Sequence, residues 1–535
     1  MSQRDLATEH LGHLARGGLL ALAGSAVAAG AGLALALAVS HGLPADAAGL
    51  FFTTTAAFSL LAVGCLLGVD SGLARFALRL EAEGRSRELG RLMRVAMAPA
   101  LATATVIGVV AALAAAHLAP DGLSPTVLRL LALALPCAVA AELHLAATRS
   151  FGQVRPTVAV DRLLRAGTQP VVVLVVLATG GVGAALVGWA SVYLVSTALA
   201  VLALRRALAS RPRPDTGGGS PDPAPTRGLA RSFWSFTAPR GVAGLAQVSV
   251  QKADILLVAL LLGPAPAAVY VVATRFVAIG QLANQAVHQV LQPRLTALLV
   301  AGDRRALDQV FTTATTWGLL LVWPFYLAVG AAAPTYLGLF GGATSSYAAG
   351  TSVVVLMALA MMVAVATGPL DTLLLMAGRS GASLAIALVA MAVDLVLCVV
   401  LLPVLGLVGA AVAWACAVLV RSGLATIQVA RTTGTVLPLA TLTRAALVPV
   451  VAVGLPVATW TWSGGRSPTT WLLVTVLAGV PYVLALHRWR HRLGLDLLAD
   501  ALRHRRPAAA PTTPTPTPTL PPSRSTEETP CPSAP

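Results

Sequence analysis

The chain has 535 residues, of which 57% are hydrophobic and only 11% are charged. Soluble domains carry about 25% charged residues, so this composition cannot provide the surface of a water-soluble protein, and the mean hydropathy of +0.80 indicates a membrane protein. The net charge of +16 does not indicate nucleic-acid binding, because the cations lie mostly in short segments between apolar runs and only 5% of the residues are aromatic.

Apolar runs long enough to cross a bilayer, which takes about 20 helical residues, recur along the chain. In the first half we expect transmembrane helices at 17–40, 48–69, 94–117, 126–148, 157–178 and 182–205. After a polar segment, eight more are expected at 237–262, 266–291, 310–333, 350–376, 381–403, 406–430, 442–463 and 469–487. The predicted fold is all-α, a polytopic membrane protein with about 14 transmembrane helices.

The distribution of arginine between these runs predicts the orientation of the chain. Lys and Arg collect on the cytoplasmic side of membrane proteins. The segments after spans two, four and six contain several arginines, whereas the loops at 41–47, 118–124 and 179–181 contain no Lys or Arg. Arg129 and Arg466 run against this alternation. We therefore expect a multi-pass protein of the plasma membrane with both termini in the cytoplasm.

Two short sequence matches indicate an internal repeat with a period of six helices. Residues 44–48 enter span two as residues 264–268 enter span eight, and residues 182–185 open span six as 408–411 open span twelve. Such a repeat predicts two six-helix bundles related by a pseudo-two-fold axis along the membrane normal. The expected divisions are an N-terminal bundle at 1–205, a cytoplasmic linker at 206–233, a C-terminal bundle at 234–432, two appended helices at 433–490 and a disordered tail at 491–535, basic and then Pro/Thr-rich.

Ionisable side chains inside predicted spans are candidate functional groups, because placing them in a bilayer is costly. Four polar residues of span seven share one helical face at about 100° per residue, Lys252 points roughly the opposite way, and Arg275 of span eight lies at similar depth, where it could pair with Asp254. The predicted substrate-binding residues are Arg240, Gln247, Gln251, Lys252, Asp254 and Arg275. The candidate carboxylates for ion coupling are Asp254 and Asp394.

Motifs of enzymatic chemistry are absent from the sequence. There is no phosphate-binding glycine loop, no His-Glu-x-x-His and no pair of cysteines with metal-ligand spacing. A polytopic glycosyltransferase or polymerase normally needs a sizeable outer loop with catalytic acids or Arg, and the longest outer loop, 334–349, has no acidic or basic side chain. We predict a transporter rather than an enzyme, with no cofactor and no metal site.

Several loosely spaced residues carry a family resemblance. In the second half they are Phe236, Pro239, Asp254, Gly263, Tyr270, Ala273, Arg275, Pro403, Gly406 and Gly409, and in the first half Gly49, Phe51, Asp70, Gly72 and Arg75. With them the chain resembles the polysaccharide (O-antigen type) flippases of the multidrug, oligosaccharidyl-lipid and polysaccharide exporter superfamily. The resemblance implies that undecaprenyl-diphosphate-linked oligosaccharide is moved across the plasma membrane by alternating access for cell-surface polysaccharide biosynthesis. The implied partners are the lipid-linked glycan, membrane lipids, and polysaccharide polymerases and glycosyltransferases, with no nucleic acid.

Two relatives within the same superfamily remain as alternatives, an ion-coupled multidrug or small-solute antiporter and a lipid II flippase. The predicted first helix at 17–40 has no charged residue. Lipid II flippases carry essential cations in that helix, and multidrug extruders often a cation-binding acid, so the sequence favours the sugar-lipid exporter. An effect of a proton or sodium gradient on efflux would distinguish the antiporter.

Overall fold

The computed structural model describes residues 3–85, 88–178, 180–210, 226–341, 346–435 and 439–488, and the predicted tail at 491–535 lies outside them. All regular secondary structure in these ranges is helical. The first half comprises α1 (Gln3–Gly42), α2 (Ala45–Leu66), α3 (Val69–Ala82), α4 (Leu89–Leu113), α5 (Ala115–Leu118), α6 (Pro125–Ser150), a π-helical segment (Thr157–Arg165), α7 (Ala166–Leu177) and α8 (Val182–Ala209).

The second half is also a series of helices joined by short connections. It comprises α9 (Thr226–Leu262), α10 (Pro264–Ala301), α11 (Arg304–Ala331), α12 (Ala333–Gly338), a 3₁₀ turn (Ser346–Gly350), α13 (Thr351–Ala366), α14 (Leu370–Met376), α15 (Ser380–Leu405) and α16 (Leu407–Thr433). The last helices are α17 (Leu439–Pro449), a π-helical segment (Val450–Gly454), α18 (Leu455–Trp462) and α19 (Pro468–Arg488). Helix enters the predicted linker, 206–233, from both sides, because α8 ends at Ala209 and α9 begins at Thr226.

The described helices fall at the fourteen predicted span positions, though with local differences. Twelve are long and apolar enough to cross a membrane. Position seven is α9, which is bent by 53° between its segments Gly228–Ser249 and Lys252–Leu262 and would make a thirteenth. Position five is the helix from Thr157 to Leu177, which carries three charged side chains and is not among the twelve. The span predicted at 350–376 is broken where Gly368, at φ +78°, separates α13 from α14.

The outer surface of the helices is apolar, as contact with lipid requires. Large side chains such as Leu113, Leu260 and Trp462 are 77%, 79% and 93% exposed. A bilayer provides no hydrogen-bond partners for a peptide backbone, so a chain that crosses it satisfies its N–H and C=O groups within helices. The helical structure and its apolar surface together identify a multi-pass α-helical membrane protein.

Helix packing repeats with the period that the sequence predicts. In the first half α4 packs on α6, α6 on α8, α7 on α8 and α1 on α7; in the second half α11 packs on α13, α13 on α16, α15 on α16 and α9 on α15. The halves meet through α2 with α10, flanked by α1 with α10 and α2 with α9. Exchanging the halves turns the contact of α2 with α10 into itself and each other contact into its counterpart in the same set, as a pseudo-two-fold repeat requires.

Glycines allow the two halves to touch backbone to backbone at both ends of this contact. At one end Gly49 of α2 lies against the carbonyl group of Pro264, and a Cβ atom there would overlap it. At the other end Gly68, at φ +76°, lies against the backbone of Gly241 in α9. A side chain at either position would separate the helices, so both contacts depend on glycine.

The two appended helical segments dock on α11 of the second half. The indole Nε1 of Trp471 donates a hydrogen bond to the carbonyl oxygen of Ala328 at 3.2 Å, and the Tyr482 hydroxyl donates to the carbonyl oxygen of Leu320. Gly454 lies beside Leu327 of the same helix, where a Cβ atom would be 3.2 Å from its side chain. They therefore extend the second half rather than the contact between the halves.

Candidate functional site

Asp254 is a buried carboxylate that joins α9 to α10. Its side chain is 6% exposed. The backbone N–H of Ile255 donates to Oδ1 at 2.8 Å, and the hydroxyl of Tyr270 donates to Oδ2 at 2.7 Å. Both oxygens of this carboxylate therefore accept hydrogen bonds from neutral donors, which is the arrangement that burial of a polar group requires.

The ion pair between Asp254 and Arg275 that the sequence suggests is not among the ion pairs of the described residues. Tyr270, which takes the place of that partner, lies five positions before Arg275 in α10. Five residues at about 100° each turn the second side chain roughly 140° away from the first. Helix geometry therefore explains why Asp254 does not pair with Arg275, because Tyr270 and Arg275 cannot both point at Asp254.

Arg275 instead lies in the contact between the two halves. Its Cζ atom is 5.7 Å from the centroid of the Phe52 ring of α2, close enough for a cation–π contact. Its Nε is buried and has no hydrogen-bond partner among the described residues. A guanidinium with a buried, unsatisfied donor is an unusual and costly group, and here it is aimed at the seam between the halves.

Lys252 connects Asp254 and Arg275 electrostatically. Lys252 is half-buried and lies within electrostatic range of both Asp254 and Arg275. We call these two cations and one carboxylate, which lie where α9 and α10 pack on α2, the charged junction. An excess of positive charge in an enclosed place favours an anion as its further partner.

Asp394 adds a second carboxylate beside this cluster. It lies on α15, which packs against α9, and is within electrostatic range of Asp254. The side chain is 1% exposed and its Oδ1 has no hydrogen-bond partner among the described residues. An unsatisfied buried carboxyl oxygen is a place where a proton or a small cation would be stabilised.

The predicted polar stripe of span seven does not occupy a single environment. Arg240 and Gln247 are exposed, whereas Asp254 is buried. The side chain of Gln251 lies outside the described part of the structure. The bend in α9 explains this difference, because a helix that changes direction by 53° cannot keep residues of both segments on one straight face.

A second charged network lies inside the first half, and its central residue, Asp161, was not predicted from the sequence. Asp161 of the π-helical segment is 6% exposed and binds Arg165 in an ion pair at 2.5 Å and Arg162 at 3.2 Å. The guanidinium of Arg165 lies 5.5 Å from the centroid of the Tyr193 ring. Glu142 of α6 is within electrostatic range of Asp161 and Arg165. Three charges within five residues of a predicted span were the signal that could have revealed it.

Paired ions also occur around the C-terminal end of α3. Glu83 binds Arg79 at 2.7 Å and Arg85 at 2.8 Å, and these two guanidinium groups hold the pKa of Glu83 below its usual value. Arg85 also binds Glu88 at 2.8 Å. The contacts of Glu83 are at the surface, where ion pairs contribute little to stability, whereas Glu88 is buried. Within the described ranges no group of three metal-ligating side chains occurs.

Solved structures similar to this chain include those of flippases and transporters. A structure of the lipid II flippase MurJ in an inward closed conformation aligns with 87% of this chain and 98% of its own, at a TM-score of 0.67 and 11% identity. An inward-facing multidrug resistance MATE family transporter of the MOP superfamily aligns with 77% of this chain and 95% of its own, at a TM-score of 0.59 and 16% identity. At such low identities these likenesses establish the fold alone.

A MOP superfamily transporter from Pyrococcus furiosus aligns with 79% of this chain and 95% of its own, at a TM-score of 0.53 and 18% identity. No curated protein matches the chain. The sequence profile described as "Polysaccharide biosynthesis protein" matches residues 52–346, which is more than half of the chain and includes Phe52 and the three residues of the charged junction. The chain belongs to the polysaccharide biosynthesis protein family, with the fold of the MOP superfamily flippases and transporters.

Proposed function

We propose that this protein is a flippase or exporter that moves an undecaprenyl-diphosphate-linked oligosaccharide across the plasma membrane by alternating access, and that it is not an enzyme. Its substrate would be delivered by glycosyltransferases and used by a polysaccharide polymerase. Both termini would lie in the cytoplasm. Labelling of single cysteines in residues 211–225 from outside intact cells would refute this orientation.

The observation that carries the proposal is the guanidinium of Arg275. It lies where α10 of the second half meets α2 of the first half, with a buried Nε that has no partner. Lys252 adds a second cation nearby. A diphosphate with several acceptor oxygens would satisfy these donors by charge-assisted hydrogen bonds. With the diphosphate bound at Arg275, the sugar chain would lie between the two halves and the lipid chain would extend into the bilayer.

Reconstituted vesicles test this proposal directly. We expect the wild-type protein to accelerate the crossing of a fluorescent undecaprenyl-diphosphate-linked oligosaccharide, and Arg275→Gln to slow it at least tenfold. Arg305, exposed in the first turn of α11, provides a matched control, and Arg305→Gln should leave the rate unchanged. Absence of transport by the wild-type protein with several glycans would refute the proposal.

A measurement of stability separates a binding role of Arg275 from a structural one. Because the buried Nε lacks a partner, removing the charge should not lower the stability of the protein in detergent. Loss of transport with an unchanged unfolding midpoint is therefore expected for Arg275→Gln. A lower midpoint together with lost transport would assign the side chain to packing.

An ion-coupled antiporter of the same fold is the second candidate, favoured by the two carboxylates of the second half. Asp394 has a buried oxygen without a partner, and it lies within electrostatic range of Asp254. Transport driven by a proton or sodium gradient should then fail in both Asp254→Asn and Asp394→Asn. If efflux of small cationic drugs responds to the gradient while lipid-linked glycan does not move, the antiporter replaces the flippase.

A further inference from the structure

Three side chains at the arginine-rich end of the molecule form a cluster that the charged junction does not include. Arg75 belongs to α3 of the first half, and Phe236 and Arg240 belong to α9 of the second half. The Cζ atoms of Arg75 and Arg240 lie 4.3 and 5.1 Å from the centroid of the Phe236 ring. We call these three residues the entry cluster. It places two like charges from different halves against one aromatic ring.

Neither arginine of the entry cluster is neutralised by a carboxylate in the part of the chain that the structure describes. Both are exposed. One turn further along α3 the pattern changes, because Arg79 is paired with Glu83 at 2.7 Å. The protein therefore neutralises the next arginine of the same helix while leaving two guanidinium groups unpaired on a shared ring. A cation–π contact orients a guanidinium but does not cancel its charge.

The ring of the entry cluster is held by close packing between the halves. Phe236 is half-buried, and its centroid lies 6.1 Å from that of Phe76. Phe76 in turn contacts the fully buried Phe233 at 5.5 Å. Gly72 lets α3 approach α9 so closely that a Cβ atom would overlap Thr237. The ring that both guanidinium groups contact is therefore held by helix packing rather than by a loop.

Space for part of a ligand is present beside the entry cluster. A cleft of about 200 Å³ runs between α3 and the first turns of α9, and Phe76, Arg79, Leu229 and Ser232 are among the residues that line it. Its walls combine apolar, hydroxyl and ion-paired side chains. A group bound by Arg75 and Arg240 would have this cleft as its neighbour.

We propose that the entry cluster binds the diphosphate of the lipid-linked glycan before the substrate passes between the halves. This inference rests on the proposed function and adds a binding site to it, outside the charged junction at Arg275. Arginine presents a planar fork of donors that matches phosphate oxygens. Because Arg75 and Arg240 come from different halves, a diphosphate held by both is gripped only while the halves are together at this end. Separation of α3 from α9 divides the site and releases its ligand.

Binding can be measured apart from transport. We would titrate the purified full-length protein in detergent with undecaprenyl diphosphate and, separately, with phosphatidylglycerol, and follow the complexes by native mass spectrometry. The double variant Arg75→Gln/Arg240→Gln should weaken undecaprenyl diphosphate binding about tenfold or more, since each lost contact is a charge-assisted hydrogen bond. Arg305→Gln, at an exposed arginine of α11, is the matched control and should bind within about twofold of wild type.

A conservative double variant keeps the test decisive if the first one folds poorly. Arg75→Lys/Arg240→Lys retains both charges but loses the planar fork, so its affinity should lie between those of wild type and the glutamine variant. Wild-type affinity for undecaprenyl diphosphate in both double variants would overturn the inference. An equal loss for phosphatidylglycerol would also overturn it, because the cluster would then be an ordinary contact with lipid headgroups.

The outcomes distinguish this inference from the proposed function. If wild-type protein binds undecaprenyl diphosphate through the cluster but moves no lipid-linked glycan, the proposed function fails and the binding site stands. If the glutamine double variant binds and transports like wild type, the entry cluster is refuted while the flippase proposal survives.

Discussion

Replacing Tyr270 by phenylalanine should destabilise the protein through a single lost hydrogen bond. The Tyr270 hydroxyl is fully buried and donates to Oδ2 of Asp254 at 2.7 Å. Interhelix hydrogen bonds in membrane proteins contribute about 0.6 kcal/mol on average and up to about 1.7 kcal/mol. We expect a loss near the upper end, about 1.5 kcal/mol, because the acceptor is a buried carboxyl whose Oδ2 would have no other donor. The measurement is the free energy of unfolding of purified protein in mixed micelles titrated with SDS.

A double-mutant cycle isolates this contact, and a second tyrosine provides its control. Tyr270→Phe, Asp254→Asn and the combined variant give the coupling energy between the two side chains. Tyr336 is similarly buried, but its hydroxyl donates to the backbone carbonyl of Val272 at 3.0 Å, so Tyr336→Phe should cost only about 0.6 kcal/mol. A coupling energy below about 0.5 kcal/mol, or an equal loss in both tyrosine variants, would contradict our reasoning about the buried carboxyl.

Three further predictions follow from the same structure. Gly49→Ala should open the contact with Pro264, because the added Cβ atom would overlap backbone atoms that cannot move aside. The labelling rate of a cysteine placed near that end should then rise. Gly30→Ala, where nothing lies within 4 Å of the added Cβ atom, should leave this labelling rate unchanged. Asp394→Asn should leave the unfolding midpoint unchanged or raise it, since the wild-type carboxyl already has an unpartnered oxygen; a marked fall would show that this carboxyl stabilises the protein. Asp371→Asn should cost less than about 1 kcal/mol in the SDS titration, because its ion pair with α16 is exposed, and a larger loss would identify it as a structural latch.

The span positions and the six-helix repeat could be predicted because they depend on one-dimensional patterns. A bilayer demands about 20 apolar residues per helix, and the described helices occur at all fourteen expected places. Differences arise where local chemistry interrupts a continuous run. Gly368 breaks the tenth span, and the charges of Thr157–Arg165 set the fifth apart from the others. These signals were visible as single residues but were outweighed by the apolar residues around them.

The candidate site was only partly predictable, because its contacts join helices that are distant in sequence. Lys252 was expected near both Asp254 and Arg275, and it lies within electrostatic range of each, whereas their role in binding stays a prediction. Arg275 was one possible partner of Asp254, but the observed partner is Tyr270, which depends on the rotation of α10. The polar stripe from Arg240 to Asp254 assumed a straight helix, and α9 is bent.

The sequence by itself determined that this protein is an α-helical, multi-pass membrane protein with an internal repeat, because hydrophobic length, arginine distribution and short repeated segments are properties of the chain alone. Only the tertiary structure decided which polar groups are satisfied and which are not. Arg275 meets Phe52, and Arg75 shares the ring of Phe236 with Arg240, only when the two halves pack together. Such partnerships depend on the rotation and close approach of whole helices, which glycines at the seam allow but no local pattern specifies.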